Sequence, residues 1–170
     1  MMSLMADDLK RATAIIPSGY WPAAQMVGTV TLIYADRCRR RIRLTDDSGK
    51  PFLLDLERPM RLADGDGLQL MGHGFIKVVA AVETLLEARA KDAKHLARLA
   101  WHVGNRHTAA EMVGDNALRL VDDAVLRAML KGLGAELITV QAPFHPEGGA
   151  YAGGDATHHD HEHGPHTHTH

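Results

Sequence analysis

Leu96-Ala97-Arg98-Leu99-Ala100-Trp101-His102-Val103-Gly104-Asn105-Arg106-His107 is the stretch whose periodicity decides the fold. Leu96, Leu99, Ala100 and Val103 fall at i, i+3, i+4 and i+7, which is one face of a helix. Gly104 lacks the β-carbon that makes the left-handed conformation costly, so it is expected to close that helix, with Asn105 carrying the chain away. His107 then stands just past the C-terminus, near the negative end of the macrodipole and near carbonyls without intrahelical partners. An isolated histidine at such a place is usually a cap or a surface group. A metal role depends on what else the chain brings to it. His95 lies off the apolar stripe and is expected in solvent.

Everything before this helix reads differently. Residues 27–34 are rich in β-branched side chains and alternate on a period of two, Val30, Leu32 and Tyr34 against Thr29, Thr31 and Ile33. Asp36 starts a turn. Residues 39–45 then run into the turn signal Asp46-Asp47-Ser48-Gly49-Lys50, and residues 51–56 return as the second strand of a hairpin. A further turn at residues 63–67 leads to a strand at residues 68–71 that ends on Gly72-His73-Gly74, with His73 as a turn residue. Strand alternation puts Arg39, Arg41 and Arg43 on one solvated face beside inward-facing Ile42 and Leu44. Arg37 precedes this run, and no interleaved aromatic set offers bases a stacking surface.

After Gly74 the pattern changes. Residues 75–82 form a continuous β-branched run suited to a buried strand, and the helix described above follows. Segments at 108–113 and 117–121 flank Gly114-Asp115-Asn116 and read as a hairpin. Asp122 or Asp123 caps a second helix with Val125, Leu126, Met129, Leu130 and Leu133 on its apolar face, and residues 135–140 close the sheet. The order β, α, β, β, α, β is the ferredoxin-like arrangement, two helices over one face of an antiparallel sheet. The expected class is therefore α+β: a small all-β domain over residues 1–74, a ferredoxin-like domain over 75–151, and a tail over 152–170.

Composition narrows the function. The 170 residues are 45% hydrophobic, enough for a real core, and the formal charge of -2 argues against a protein devoted to nonspecific nucleic-acid binding. Cys38 is the single cysteine, so no zinc ribbon or CxxC centre is possible within one chain, and a reducing compartment, the cytoplasm, is expected. The start has no basic region followed by an apolar stretch, and no run of 18 apolar residues occurs, so neither a signal peptide nor a membrane span is expected. No HExxH or comparable ligand set with a nearby base points to a hydrolase, and no enzyme is expected.

Histidine is the anomaly. There are 12, and protonating all of them would move the formal charge from -2 to about +10. The chain ends His158-His159-Asp160-His161-Glu162-His163-Gly164-Pro165-His166-Thr167-His168-Thr169-His170, seven imidazoles in thirteen residues. By composition such a segment cannot offset the entropy of ordering and is expected to be disordered without a ligand. Purification tags are usually uninterrupted histidine runs, whereas this tract is broken by acidic residues, Gly164, Pro165 and threonines. Imidazole suits nickel, copper and zinc, and selectivity among them comes largely from geometry, so a mobile tail alone collects metal without discriminating. A discriminating site needs a fixed ligand. His107 supplies one, and a two-fold axis through it would bring two copies face to face.

These residues resemble the UreE family of urease accessory nickel chaperones. The resemblance is carried by Asp36-Arg37-Cys38-Arg39-Arg40-Arg41-Ile42-Arg43, Asp64-Gly65-Asp66, His102-Val103-Gly104-Asn105-Arg106-His107, Pro143-Phe144-His145-Pro146-Glu147-Gly148-Gly149-Ala150-Tyr151 and the histidine-rich tail. It implies an N-terminal β domain of the partner-binding type, a C-terminal metal-binding and dimerisation domain, and a homodimer. It further implies delivery of Ni(II) to urease apoprotein with an accessory GTPase complex, and His107 as the shared interfacial ligand. His102 matches the motif without being expected as a ligand. Where some members carry extra ligand histidines before the second helix, this chain has Val121-Asp122-Asp123-Ala124, so no internal secondary site of that kind is expected. His145 stands where an acidic residue is common, which leaves open whether it adds a ligand. The expected metal set is His107 with His158, His159, His161, His163, His166, His168 and His170, taking Ni(II) and also Zn(II) or Cu(II). The alternative is a nickel or zinc store that works mainly through the tail.

Overall fold

The computed structural model describes residues 9–149. Two sheets divide them. The first has six strands, β1 (Lys10–Ile16), β2 (Met26–Leu32), β3 (Arg41–Thr45), β4 (Pro51–Asp55), β5 (Gly67–Leu70) and β6 (Phe75–Ala80), in the order β2-β6-β5-β1-β4-β3. The second has four, β7 (Val82–Arg89), β8 (Glu111–Val113), β9 (Ala117–Val121) and β10 (Glu136–Pro143), in the order β10-β7-β9-β8 with every neighbour antiparallel. Helices α1 (Ala93–Asn105) and α2 (Ala124–Gly132) belong to the second unit.

The expected boundary at residue 74 is corrected. Residues 75–80 do form a buried strand, but it pairs parallel with β2 and antiparallel with β5, so it completes the first sheet. The strand that opens the βαββαβ unit is β7, whose alternation was hidden because Leu85, Leu86, Glu87 and Ala88 are all buried. A strand covered on both faces reads as a run and shows no period of two.

In the first sheet the alternation of β2 and β3 holds: Val30, Leu32 and Leu44 are buried, whereas Arg41 and Arg43 are exposed. They join Phe52, Leu54, Leu68, Leu70, Ile76 and Val78 in one core. The β3–β4 turn folds back to the far edge strand. Asp47 N–H donates to Thr29 O at 2.8 Å, and the Asp47 carboxylate accepts from Thr29 Oγ1 (2.6 Å), Thr31 Oγ1 (2.9 Å) and Thr31 N–H (3.0 Å). These bonds, the Thr29 hydroxyl foremost, lower the Asp47 pKa and occupy part of an edge that would otherwise present unpaired groups.

The second core is Leu86, Ala88, Leu99, Val103, Leu118, Leu120, Leu126 and Leu130, the apolar stripes of both helices set on one face of the sheet. Asp92 caps α1 by accepting from His95 N–H, and Asp123 caps α2 by accepting from Val125 and Leu126 N–H. Val125 departs from the expected apolar face and is 58% exposed. His95 departs the other way. Its Nδ1 accepts from Lys91 N–H at 3.1 Å and its Nε2 lies 2.9 Å from Leu133 O, so it ties the start of α1 to the end of α2 instead of standing in solvent.

Candidate metal centre

The helix that carries the site ends one turn element later than the glycine suggests. Gly104 stays helical, α1 runs through Asn105, and Arg106 is the C-cap at φ -95 and ψ 6. The left-handed residue is His107 itself, at φ 52. Its N–H donates to Gly104 O at 2.9 Å, and Thr108 N–H reaches Val103 O at 3.4 Å. These are the two hydrogen bonds of a Schellman motif, in which the left-handed position is usually glycine. A histidine there bears a steric cost of about 1 kcal/mol that glycine would avoid. The imidazole is exposed. Arg106 Nε donates to Met129 Sδ at 3.2 Å, which holds this end of α1 against α2.

Trp101 is 64% exposed and meets the ring of His102 edge-on at 4.9 Å. Val125, Val121 and Met112 of the same unit are also exposed. Among the described residues no group of three or more His, Cys, Asp or Glu side chains is placed to hold a metal. His158, His159, His161, His163, His166, His168 and His170 lie outside the described residues. His145 is exposed, and its backbone N–H donates to Glu111 Oε2 at 3.1 Å.

Two family profiles cover the chain. The N-terminal domain profile of the UreE urease accessory protein matches residues 10–81, and the C-terminal domain profile matches residues 83–170. This chain belongs to the UreE family. The junction between the two UreE profiles falls where β6 gives way to β7, in agreement with the two sheets. Urease accessory protein UreE of Beijerinckia indica is 48% identical over 153 residues, 89% of this chain and 86% of that protein. That of Bradyrhizobium sp. (strain ORS 278) is 49% identical over 142 residues, 84% of this chain and 67% of that protein. That of Chelativorans sp. is 46% identical over 142 residues, 84% of this chain and 89% of that protein. UreE is an accessory chaperone of urease maturation and not an enzyme. No helix among the described residues is long and apolar enough to cross a membrane.

The fold also exposes residues that sequence reasoning passed over. Arg37, read as a neighbour of a solvated arginine run, is 1% exposed. It sits in a short 3-10 turn, Asp36–Cys38, and its Nη2 donates to Phe144 O at 2.6 Å across the two domains. Burial lowers its pKa, and the Glu83 carboxylate opposes that shift most strongly. Tyr34 packs edge-on to Phe144 at 5.0 Å, and Tyr34 N–H donates to Glu83 Oε2 at 2.8 Å. The buried charge had one signal in sequence: it precedes the alternating register of β3 and so had no assigned face.

Proposed function

We propose that this protein binds Ni(II) and donates it to urease apoprotein during assembly of the urease metallocentre, together with an accessory GTPase complex in the cytoplasm. The supporting observation is His107, an exposed imidazole placed at the left-handed position of a helix cap where glycine is the easier residue. Such local strain is a reason to look for a functional role. One imidazole is too few for tight binding, so the site needs a second copy, and the exposed Trp101 and Val125 suit the apolar part of a two-fold interface. The βαββαβ order with sheet order β10-β7-β9-β8 supports a ferredoxin-like metal-binding and dimerisation domain. The first sheet is the unit left free for partners.

Histidines 158–170 would raise local metal concentration and add ligands, and Zn(II) or Cu(II) would compete for the same imidazoles. Release is compatible with this arrangement, because incoming ligands can replace exposed ones stepwise. Calorimetry with nickel on the full chain bearing asparagine at all seven tail histidines, beside the same protein with His107→Gly, tests the reading. We expect about one nickel per dimer, abolished by His107→Gly. If the asparagine protein binds no nickel, the metal function belongs to the tail, and storage replaces delivery.

A further inference from the structure

The segment that leaves β10 has no regular secondary structure, yet it is fastened on both sides. Toward the first domain its carbonyls accept from two arginines. Arg37 Nη2 bonds Phe144 O at 2.6 Å, and Arg61 Nη1 bonds Pro146 O at 2.9 Å and Glu147 O at 3.0 Å. Toward the second domain its N–H groups donate, Glu147 N–H to Ala110 O at 2.8 Å and His145 N–H to Glu111 Oε2 at 3.1 Å. Ala110 lies three residues after His107, and no helix or strand separates the α1 cap from Glu111, where β8 begins. The loop that presents His107 is thus held by the cap at one end and by this strap at the other.

We propose that Arg61 and Arg37 of the first domain are positioning residues of the His107 site. They fix the strap at residues 144–147, and the strap fixes the loop at residues 107–110 in the conformation that presents the imidazole. This rests on the reading of His107 as a metal ligand given above. Three observations carry it. The left-handed backbone of His107 persists only if its surroundings over-determine it, and the helix-side bond from Thr108 N–H is long at 3.4 Å. Beside the 2.9 Å bond from His107 N–H to Gly104 O, the exit side adds a bond of 2.8 Å from Glu147 N–H to Ala110 O. Two carbonyls converge on one nitrogen of Arg61, a geometry that the guanidinium's fixed fork meets with less loss of freedom than an ammonium. Arg37 Nε is buried without a partner, at a cost of about 1–3 kcal/mol. Filling space alone would favour an apolar side chain. What the guanidinium adds is a 2.6 Å bond to Phe144 O, beside a longer one of 3.4 Å from Nη1 to Leu62 O within its own domain.

The test uses the full chain with the tail histidines replaced by asparagine, so that only the His107 site is read. Arg61 is exposed, so Arg61→Ala leaves the cores intact. Without metal, amide exchange at His107 and Thr108 is expected to quicken roughly tenfold in Arg61→Ala, while Leu120 in the core stays unchanged. Nickel affinity is expected to fall about fivefold, with the melting temperature unmoved. Arg61→Lys should recover part of both effects, and Arg37→Met should shift both in the same direction as Arg61→Ala. Unchanged exchange at His107 and Thr108 overturns the proposal, as does weaker nickel binding without faster exchange, which would indicate a charge effect alone. If the parent protein has no His107-dependent nickel site, the functional reading fails, and the metal-free exchange result alone decides whether the strap holds the loop.

Discussion

At φ 52 the His107 backbone carries strain that a glycine would not, so replacing it separates the backbone from the imidazole. His107→Gly is expected to raise unfolding stability by about 1 kcal/mol in urea titrations, whereas His107→Ala is not. Equal stability of the two variants would mean that the left-handed cap is not held in solution. Both remove the ligand, so both lose the proposed metal site. A stability gain paired with loss of nickel binding would mark His107 as a residue placed for its side chain at the expense of its backbone.

In the second sheet, the central strand β7 carries a buried carboxylate. Glu87 is 4% exposed and bonds Arg89 Nε at 2.9 Å and Arg119 Nε at 2.8 Å, and Arg119 also lies 3.9 Å from Glu111 Oε1. Burial, the largest single influence, would raise its pKa, but the two guanidiniums together more than offset it and the net shift is downward. A depressed carboxylate pKa contributes stability that is full above the ordinary carboxylate range and is lost as pH falls through the folded value. Glu87→Gln is expected to cost about 2 kcal/mol at neutral pH, less than a fully enclosed pair because both arginines are partly exposed. Below about pH 5 the difference from the parent should shrink. Denaturation at a series of pH values checks it, and a gap that widens in acid would contradict the ion-pair account.

Across the whole molecule, Phe144 is one of the side chains that join the domains. Phe144 is fully buried, stands edge-on to Tyr34, and presents its carbonyl to Arg37. Phe144→Ala is expected to remove about 3–5 kcal/mol from the tie and to split one unfolding transition into two, since each sheet keeps its own core. Scanning calorimetry reads this directly. A single transition merely shifted downward would show that the domains remain coupled through other contacts.

The sequence alone determined what local periodicity and turn chemistry can encode. It placed both helices, the β3–β4 and β8–β9 hairpins, a cap at Asp122 or Asp123 that the structure gives to Asp123, and the exposed face of β3, because each depends on neighbours a few residues away. It also singled out His107, through the motif around it. Only the tertiary structure assigned residues 75–80 to the first sheet, since a strand buried on both faces carries no sign of which partner it pairs with. Only the tertiary structure moved the left-handed residue from Gly104 to His107, since α1 continues through Asn105 and its C-cap Arg106 still bonds Met129 of α2. It likewise turned Arg37 from a surface cation into a buried bridge. That role depends on Phe144, 107 positions along the chain, and no local pattern connects residues so far apart.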